Sequence, residues 1–186
     1  LGRLFSRYLS ECKLPTQWKT SKTVLLFKKG DLHDIGNYRP ICLLSVLYKL
    51  FARVILDRID RTLDEGQPCE QAGFRKAFGT MNHIYTKTRL IEVSREYKRP
   101  LCLTFIDLEK AFDSIEIEAV MEALGSKGVP TQYIKILREL YKNFTTKISP
   151  FYNDTNVHVK RGVRQGDTIS QKLFTATLQN VMRTLK

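Results

Sequence analysis

The chain has 186 residues, of which 42% are hydrophobic, and its formal net charge at pH 7 is +12. This composition excludes a disordered chain, because enough apolar side chains are present to bury a core. No apolar run is long enough to cross a bilayer, and the N-terminal residues lack the apolar run of a signal peptide. The excess of Lys and Arg predicts an anionic partner, with nucleic acid as the first choice and a membrane surface as the second.

The cysteines give no sign of a disulfide framework or a metal site. They form no C-x-x-C pair, and no His stands at metal-ligand spacing from any of them. We therefore expect reduced, mostly buried thiols in an intracellular protein. The four are Cys12, Cys42, Cys69 and Cys102.

The first third of the chain predicts one strand, one turn region and one helix. Thr23–Phe27 is an uninterrupted apolar run typical of a buried strand. Residues 28–40 are rich in Gly, Asp and Asn, which predicts a loop. Apolar residues then recur every third or fourth position over Leu47–Ile59, so we predict an amphipathic helix with Ser45 as its N-cap.

The middle of the chain predicts a second helix and a central strand. The helix is expected from Thr80 to about Lys98, with Ile84, Leu90 and Ile91 facing inward, and Pro100 ends it. The short apolar run Leu101–Ile106 then reads as a buried strand with Asp107 at its end.

The last third predicts helices around a short pair of strands. Asp113 and Glu116 have capping-box spacing for a helix through Leu124, and Thr131 is predicted to cap the next helix. Two strands are expected at 145–149 and 156–160, and a final helix near Ser170. This order predicts an α+β fold, with helices on one face of a small sheet that lacks some of its strands.

Asp107 is the first candidate for chemistry. A carboxylate at the end of a buried strand needs a partner, a cation or solvent. Mg²⁺ binds through one or two carboxylates and completes its shell with substrate phosphate oxygens. Asp107 is therefore either a metal ligand or a solvated aspartate. Asp113 is more simply a helix cap than a ligand, while Phe112 is either core or a ring under a nucleotide sugar that rejects a 2′-hydroxyl.

Two loops could bind an anion. Arg161–Asp167 is a basic, Gly-rich turn before the last helix, where the backbone can approach a ligand closely and Gln165 offers both a donor and an acceptor. Lys28, Lys29 and Arg39 bracket the first loop, either gripping a triphosphate or forming a solvated basic turn.

Four motifs together resemble one family. Phe105–Asp113 (FIDLEKAFD) looks like the first catalytic motif of retrotransposon reverse transcriptases, and Arg161–Ser170 (RGVRQGDTIS) resembles the motif that follows it. Asn37–Ser45 (NYRPICLLS) and Glu70–Arg75 (EQAGFR) are similar to two finger motifs. The order is the family's, and the resemblance is closest to elements without long terminal repeats, of the RTE-like type.

The resemblance implies a fingers-and-palm polymerase architecture, with helices packed on a small, incomplete antiparallel palm sheet. Residues 1–99 would be fingers and 100–186 the N-terminal part of the palm, so the chain would be a partial reverse transcriptase domain. The expected activity is RNA-directed DNA synthesis on an RNA template, with a DNA primer or target and deoxynucleoside triphosphates (dNTPs), at an intracellular, nuclear site. No membrane is expected as a partner.

The resemblance also assigns roles to residues. Asp107 would bind two Mg²⁺ ions, and the Leu108 carbonyl would help. Phe112 would gate the sugar, Gln165 and Gly166 would position the nucleotide, and the basic residues of the first loop would contact the triphosphate. The basic residues expected to contact the triphosphate are Arg39 and either Lys28 or Lys29.

The sequence departs from the family pattern in several places. No aromatic-x-Asp-Asp motif follows Ser170, so we expect the chain alone to be inactive. Ala77, Gly79, Asn82 and Gln171 stand where Gly, Ser, Asp and Pro are usual. These departures leave open a decayed, non-catalytic nucleic-acid-binding remnant. Without the resemblance, the alternative is a basic structural or interaction domain.

Overall fold

The computed structural model describes residues 1–65, 67, 73–74, 79–149 and 153–184. Within these ranges the chain forms helices around one four-stranded sheet, which confirms the α+β prediction. The helices are α1 (Gly2–Glu11), α2 (Val46–Glu65), α3 (Thr80–Glu96), α4 (Ala111–Ser114), α5 (Ile117–Ser126), α6 (Thr131–Tyr141) and α7 (Ser170–Thr184). The strands are β1 (Thr20–Phe27), β2 (Tyr38–Leu43), β3 (Thr145–Ile148) and β4 (Thr155–His158). Among the described helices, none has the length and apolar content needed to cross a membrane.

The sheet has the strand order β2-β1-β3-β4. β1 is antiparallel to β2 and β3 to β4, as in the antiparallel sheet that the resemblance implies, but the central pair β1–β3 is parallel. Buried hydroxyl groups join this central pair: Ser21 Oγ donates to Thr146 Oγ1 over 2.8 Å, and the hydroxyl oxygens of Thr23 and Thr146 are 2.6 Å apart. Hydroxyls that satisfy one another allow polar residues to lie inside the sheet.

β2 lies in the region predicted to be a loop, so that part of the prediction was wrong. Pro40 lies within β2 and pairs with Leu25. A proline lacks the N–H that a central strand must donate, but β2 is an edge strand of the described sheet and tolerates it. The true loop spans the shorter stretch between β1 and β2 and includes a short 3₁₀ helix at Ile35–Asn37.

The hydrophobic core lies between the helices. The apolar face of α2 is buried as its periodicity predicted, and it packs with side chains of α5, α6 and α7. Ser45 caps α2 as expected, because its Oγ accepts a hydrogen bond from the Tyr48 N–H over 3.1 Å. Aromatic rings of Phe5 and Trp18 close the N-terminal end of this core against Phe51, with ring centroids 5.2 and 5.1 Å away.

Two of the predicted helix caps are wrong. α5 begins at Ile117 with Glu116 at its N-cap, and Glu116 makes no side-chain capping bond there. Asp113 instead lies in the separate one-turn helix α4. α6 begins at Thr131 itself, one residue earlier than predicted, so its N-cap residue is Pro130, whose preset φ suits a helix entry without a capping side chain.

The predicted central strand at Leu101–Ile106 is also wrong. Every residue from 101 to 108 is exposed, and no strand of the described sheet pairs with this segment. An apolar run indicates strand propensity, but a strand also requires a neighbour to pair its backbone N–H and C=O groups. The described part of the chain offers this segment no such neighbour.

Helix α3 was expected to bury an apolar face, and it buries none. Ile84 and Leu90 are about half exposed, at 52% and 50%, and Ile91 is partly exposed. The expectation of mostly buried cysteines is wrong for the described residues: Cys102 is exposed, while Cys12 and Cys42 are half-buried. These three are free thiols, and Cys69 lies outside the described residues.

Candidate active site

An open cleft of about 1070 Å³ lies between the β1–β2 hairpin, α4 and the Gly-rich turn before α7. Most of the site residues predicted from the sequence line it: Lys28, Arg39, Leu108, Phe112, Gln165 and Gly166. Lys29 and Asp107 are not among the lining residues. Asp107 is exposed and adjoins Leu108 along the chain, so it stands at the border of the cleft.

The Gly-rich turn is fixed to β2 on one side. The Cys42 N–H donates to the Gln165 carbonyl over 2.8 Å. Gly166 has φ +102°, and a Cβ at this position would lie 2.8 Å from the Cys42 carbonyl oxygen. Only glycine combines this backbone conformation with so close an approach. The turn therefore joins the hairpin that carries Arg39 to the helix that begins at Ser170.

The same turn is fixed to α4 on its other side. The Val163 N–H donates to the Phe112 carbonyl, and the Gly162 N–H donates to the Ile115 carbonyl, each over 2.8 Å. Gly162 has φ +92°, and a Cβ there would lie 2.9 Å from the Asp113 Cα. These contacts hold the two motifs that the sequence singled out, 105–113 and 161–170, in a fixed relation.

One side-chain bond spans the two motifs. Gln165 Nε2 donates to Asp113 Oδ1 over 2.8 Å, and both side chains are half-buried at the cleft. Sequence reasoning assigned Asp113 to helix capping and missed this contact. The two residues are 52 positions apart, and no local pattern relates them.

Phe112 lies both in the cleft and against the core. Its ring stacks on Phe174 with centroids 4.6 Å apart and planes 15° apart, and it meets Phe74 edge-on at 6.2 Å. Offset stacking and edge-to-face contacts are the favoured aromatic geometries. The sequence left open whether Phe112 lies in the core or in the cleft. Its half-buried ring packs against the core and also lines the cleft.

Beneath the turn, Arg164 is buried among aromatic rings. Its guanidinium lies 3.9 Å from the Phe144 ring centroid, 4.9 Å from that of Tyr141 and 5.0 Å from that of Tyr48. It also donates to the backbone carbonyls of Trp18, over 3.4 Å, and Leu140. A cation desolvated in this way is stabilised by the ring faces and by the carbonyl oxygens. The residue before Gln165 is thus an anchor in the core.

A buried carboxyl group accompanies this cation. Asp167 is 6% exposed and accepts a hydrogen bond from the Tyr48 hydroxyl. Burial raises the pKa of Asp167 above its ordinary value, and the Tyr48 bond and the Arg164 charge only partly offset this. Burial also raises the pKa of Tyr141 to about 12 and that of Tyr48 well above its ordinary value. Both hydroxyls therefore stay protonated at neutral pH.

Basic side chains surround the cleft. Lys28 and Arg39 come from the β1–β2 hairpin as predicted, and the structure adds Arg53 of α2 and Lys110 beside α4. Arg53 pairs with Asp57 over 3.0 Å. Arg53 lies on the exposed face of α2, and the apolar periodicity of that helix gave no signal that this face borders the cleft. The excess of positive charge suits a ligand with phosphate groups.

Comparison with known families decides the identity. Residues 27–186 match the family model described as reverse transcriptase (RNA-dependent DNA polymerase). The chain belongs to the reverse transcriptase family.

Related reverse transcriptases come from mobile elements. The chain is 29% identical over 93% of its length to the Retrovirus-related Pol polyprotein from the type-1 retrotransposable element R2 of Popillia japonica, and covers 24% of that protein. It is 25% identical over 94% of its length to the RNA-directed DNA polymerase from mobile element jockey of Drosophila melanogaster, and covers 19% of it. These matches confirm the predicted likeness to elements without long terminal repeats. The RTE-like subtype stays a prediction.

A solved telomerase structure shares the fold. Apo telomerase from Candida tropicalis, truncated from its C-terminal domain, superposes with a TM-score of 0.60 over 98% of this chain and 44% of that one, at 14% identity. The predicted fingers-and-palm class is thereby confirmed. The chain spans about a fifth of the length of the first curated relatives, at 24%, 18% and 21%.

The reverse transcriptase family generally uses divalent metal ions. Among the described residues, no group of three or more His, Cys, Asp or Glu side chains is placed to hold one. Asp107 supplies a single exposed carboxylate. Since Mg²⁺ takes many of its ligands from phosphates and water, this donor fits part of a Mg²⁺ site but does not complete one.

Proposed function

We propose that this chain forms the nucleotide-binding part of the active site of an RNA-directed DNA polymerase. One observation carries the proposal: the turn at 161–167 is bonded through its backbone to both α4 and β2, around a cleft with basic side chains. It supports the proposal because residues of both family motifs and of the β1–β2 hairpin line the same cleft. Residues 1–99 would then be fingers and 100–186 the first part of the palm.

Each side of the cleft suits one part of a nucleoside triphosphate. Arg39 and Lys28 are the candidates for the phosphates, because guanidinium and ammonium groups bind phosphate oxygens. Lys29 is a less direct candidate, since it lies outside the lining residues. Phe112 is the candidate for the sugar, and its ring stacks on that of Phe174. Gln165 and Gly166 border the same space and would position the nucleotide.

Asp107, with the Leu108 carbonyl beside it, would hold Mg²⁺. In this proposal two ions, when bound, lower the barrier to attack by the primer hydroxyl and stabilise the leaving pyrophosphate. The chain's own part is to orient the triphosphate and to keep the sugar against Phe112. The partners would be an RNA template, a DNA primer or target and dNTPs, inside the cell and at a nuclear site.

Primer extension tests the role of Asp107. In a polymerase that contains this chain and the paired-aspartate motif, we expect Asp107→Ala to lower synthesis by about a thousandfold or more, because a metal ligand is lost. Binding of the template–primer should be largely retained. Glu109→Ala is the matched control, since Glu109 is an exposed carboxylate two residues away that does not line the cleft. Normal synthesis by Asp107→Ala would remove the assignment.

A further inference from the structure

The hydrogen bond between Asp113 and Gln165 has a consequence for nucleotide recognition. We infer that Asp113 is a positioning residue that fixes the side-chain amide of Gln165 for the incoming nucleotide. The inference rests on the proposed function and deepens it. Asp113 would act through Gln165 and would not itself bind metal.

The chemistry of the two groups sets the orientation of the amide. A carboxylate only accepts hydrogen bonds, so the side of Gln165 that faces Asp113 must be its NH₂ group. Without this partner the amide could turn over, since its oxygen and nitrogen are alike in size. With the partner in place, Oε1 is the acceptor left for a donor on the nucleotide.

The backbone around the pair makes the orientation rigid. The bonds from Val163 to Phe112 and from Gly162 to Ile115 lie on either side of Asp113. Gly162 is packed so tightly that a Cβ would lie 2.9 Å from the Asp113 carbonyl oxygen. Asp113 and Gln165 are both half-buried and both line the cleft. A contact held in this way loses little entropy when a ligand binds.

The other roles considered for Asp113 fit the structure less well. It does not cap α5, which begins after Glu116. A metal role would leave the bond to Gln165 unexplained. The variant Asp113→Asn separates the two roles. Its asparagine can still accept the bond from Gln165, but its neutral amide is a poor replacement for a carboxylate that binds Mg²⁺.

Steady-state primer extension with Asp113→Asn and Asp113→Ala separates these roles. In the polymerase described above, we expect Asp113→Asn to keep kcat within about threefold of the parent and to raise the KM for dNTP less than Asp113→Ala does, because its amide can accept the Gln165 bond but can also donate to a turned-over amide. Asp113→Ala should raise that KM by about tenfold, as expected for loss of one hydrogen bond to a charged group, with a smaller change in kcat. Loss of synthesis in Asp113→Asn as severe as in Asp107→Ala would overturn the inference.

A double-mutant cycle tests whether Asp113 acts through Gln165. Gln165→Ala alone should raise the KM by a similar factor, and adding Asp113→Ala to it should cause little further change. Effects that multiply in the double variant would show independent roles and overturn the inference. Glu116→Ala is the control, because this exposed carboxylate contacts Arg161 of the same turn from outside the cleft.

Failure of the proposed function would look different from failure of this inference. An inactive parent polymerase, or normal synthesis by Asp107→Ala, would contradict the proposed function itself. If Asp113→Ala lowers the melting temperature so far that it cannot be assayed, Asp113→Asn decides alone. A kcat within about threefold of the parent then supports the inference, and a loss of synthesis as severe as in Asp107→Ala contradicts it.

Discussion

At the scale of one residue, the ionisation of Asp167 makes the stability of the folded protein depend on pH. Its carboxyl group is buried next to Tyr48 and Arg164 and its pKa is raised, so the folded state holds the proton more tightly than the unfolded state does. As the pH rises from the unfolded value of 3.8 through the folded value, this group therefore removes stability. A residue that anchors the turn thus lowers the free energy of unfolding at neutral pH.

Replacement of Asp167 by Asn should remove this pH dependence. Asn can still accept the Tyr48 bond but does not ionise. The free energy of unfolding of Asp167→Asn, relative to the parent, should therefore increase between about pH 4 and about pH 7, measured by urea unfolding.

The variant Asp154→Asn is a control whose stability should change with pH in the opposite direction. Lys147 and Ser149 lower the pKa of Asp154, so that variant should lose stability relative to the parent as the pH rises. The effect should be small, because the pair is exposed. A pH-independent difference for Asp167→Asn would contradict the linkage.

At the scale of elements, the turn at 161–167 matters because it touches β2 and α4 together. Two glycines make this possible, and each has a positive φ with backbone atoms of a neighbouring element against it. A side chain at Gly162 would have to displace α4, which carries Phe112 and Asp113. The geometry of the site therefore depends on these two glycines, whose lack of a side chain permits the close backbone contacts.

A series of Gly→Ala variants separates backbone strain from crowding. Gly162 has both a positive φ and a close neighbour, Gly128 has φ +78° with nothing within 4 Å, and Gly79 has neither constraint. We expect losses of about 3 kcal/mol or more for Gly162→Ala, about 1 kcal/mol for Gly128→Ala and close to zero for Gly79→Ala. Thermal unfolding measures all three. Equal losses at Gly162 and Gly128 would show that the contact with α4 is unimportant.

The same elements show how far the sequence could predict the fold. Periodic apolar residues predicted α2 and α7 well, because one face of each packs on the core. The strand expected at Leu101–Ile106 failed, since pairing depends on a partner that local sequence does not reveal. β2 was missed because Asn37, a turn-former, directly precedes it and because Pro40 lies within it, where only an edge strand tolerates a proline.

The candidate site also has a part that the sequence predicted and a part that it did not. Lys28, Arg39, Phe112 and Gln165 were found because they belong to contiguous motifs, and the structure places them at one cleft. The bond from Gln165 to Asp113 and the nearness of Arg53 arise from packing between distant segments. Such contacts could not be predicted from spacing along one chain.

At the scale of the whole molecule, the charge of +12 should govern binding of a polyanion. Each phosphate contact on a single-stranded template contributes about −0.7 to the slope of log affinity against log salt, because counterions are released. We expect template–primer affinity to fall steeply with salt, measured by fluorescence anisotropy. Affinity that is independent of salt would contradict a phosphate-binding surface.

Matched lysine variants locate that surface. Lys110→Ala should reduce the magnitude of the salt slope by about 0.7, because Lys110 lines the cleft. Lys13→Ala removes the same charge from an exposed site after α1, outside the lining residues, and should leave the slope unchanged. Equal effects of the two variants would mean that net charge alone, and not the cleft, sets the affinity.

The parallel pairing of β1 with β3 affects how the protein is made. Ser21 and its partner Thr146 are 125 positions apart, so at roughly 5–20 residues per second a ribosome delivers β3 about 6–25 s after β1. During that interval the hairpin of β1 and β2 has an open edge with unmatched hydroxyls. The turn that carries Gln165 follows β4, so the sheet and the cleft are completed in the same late stage of translation.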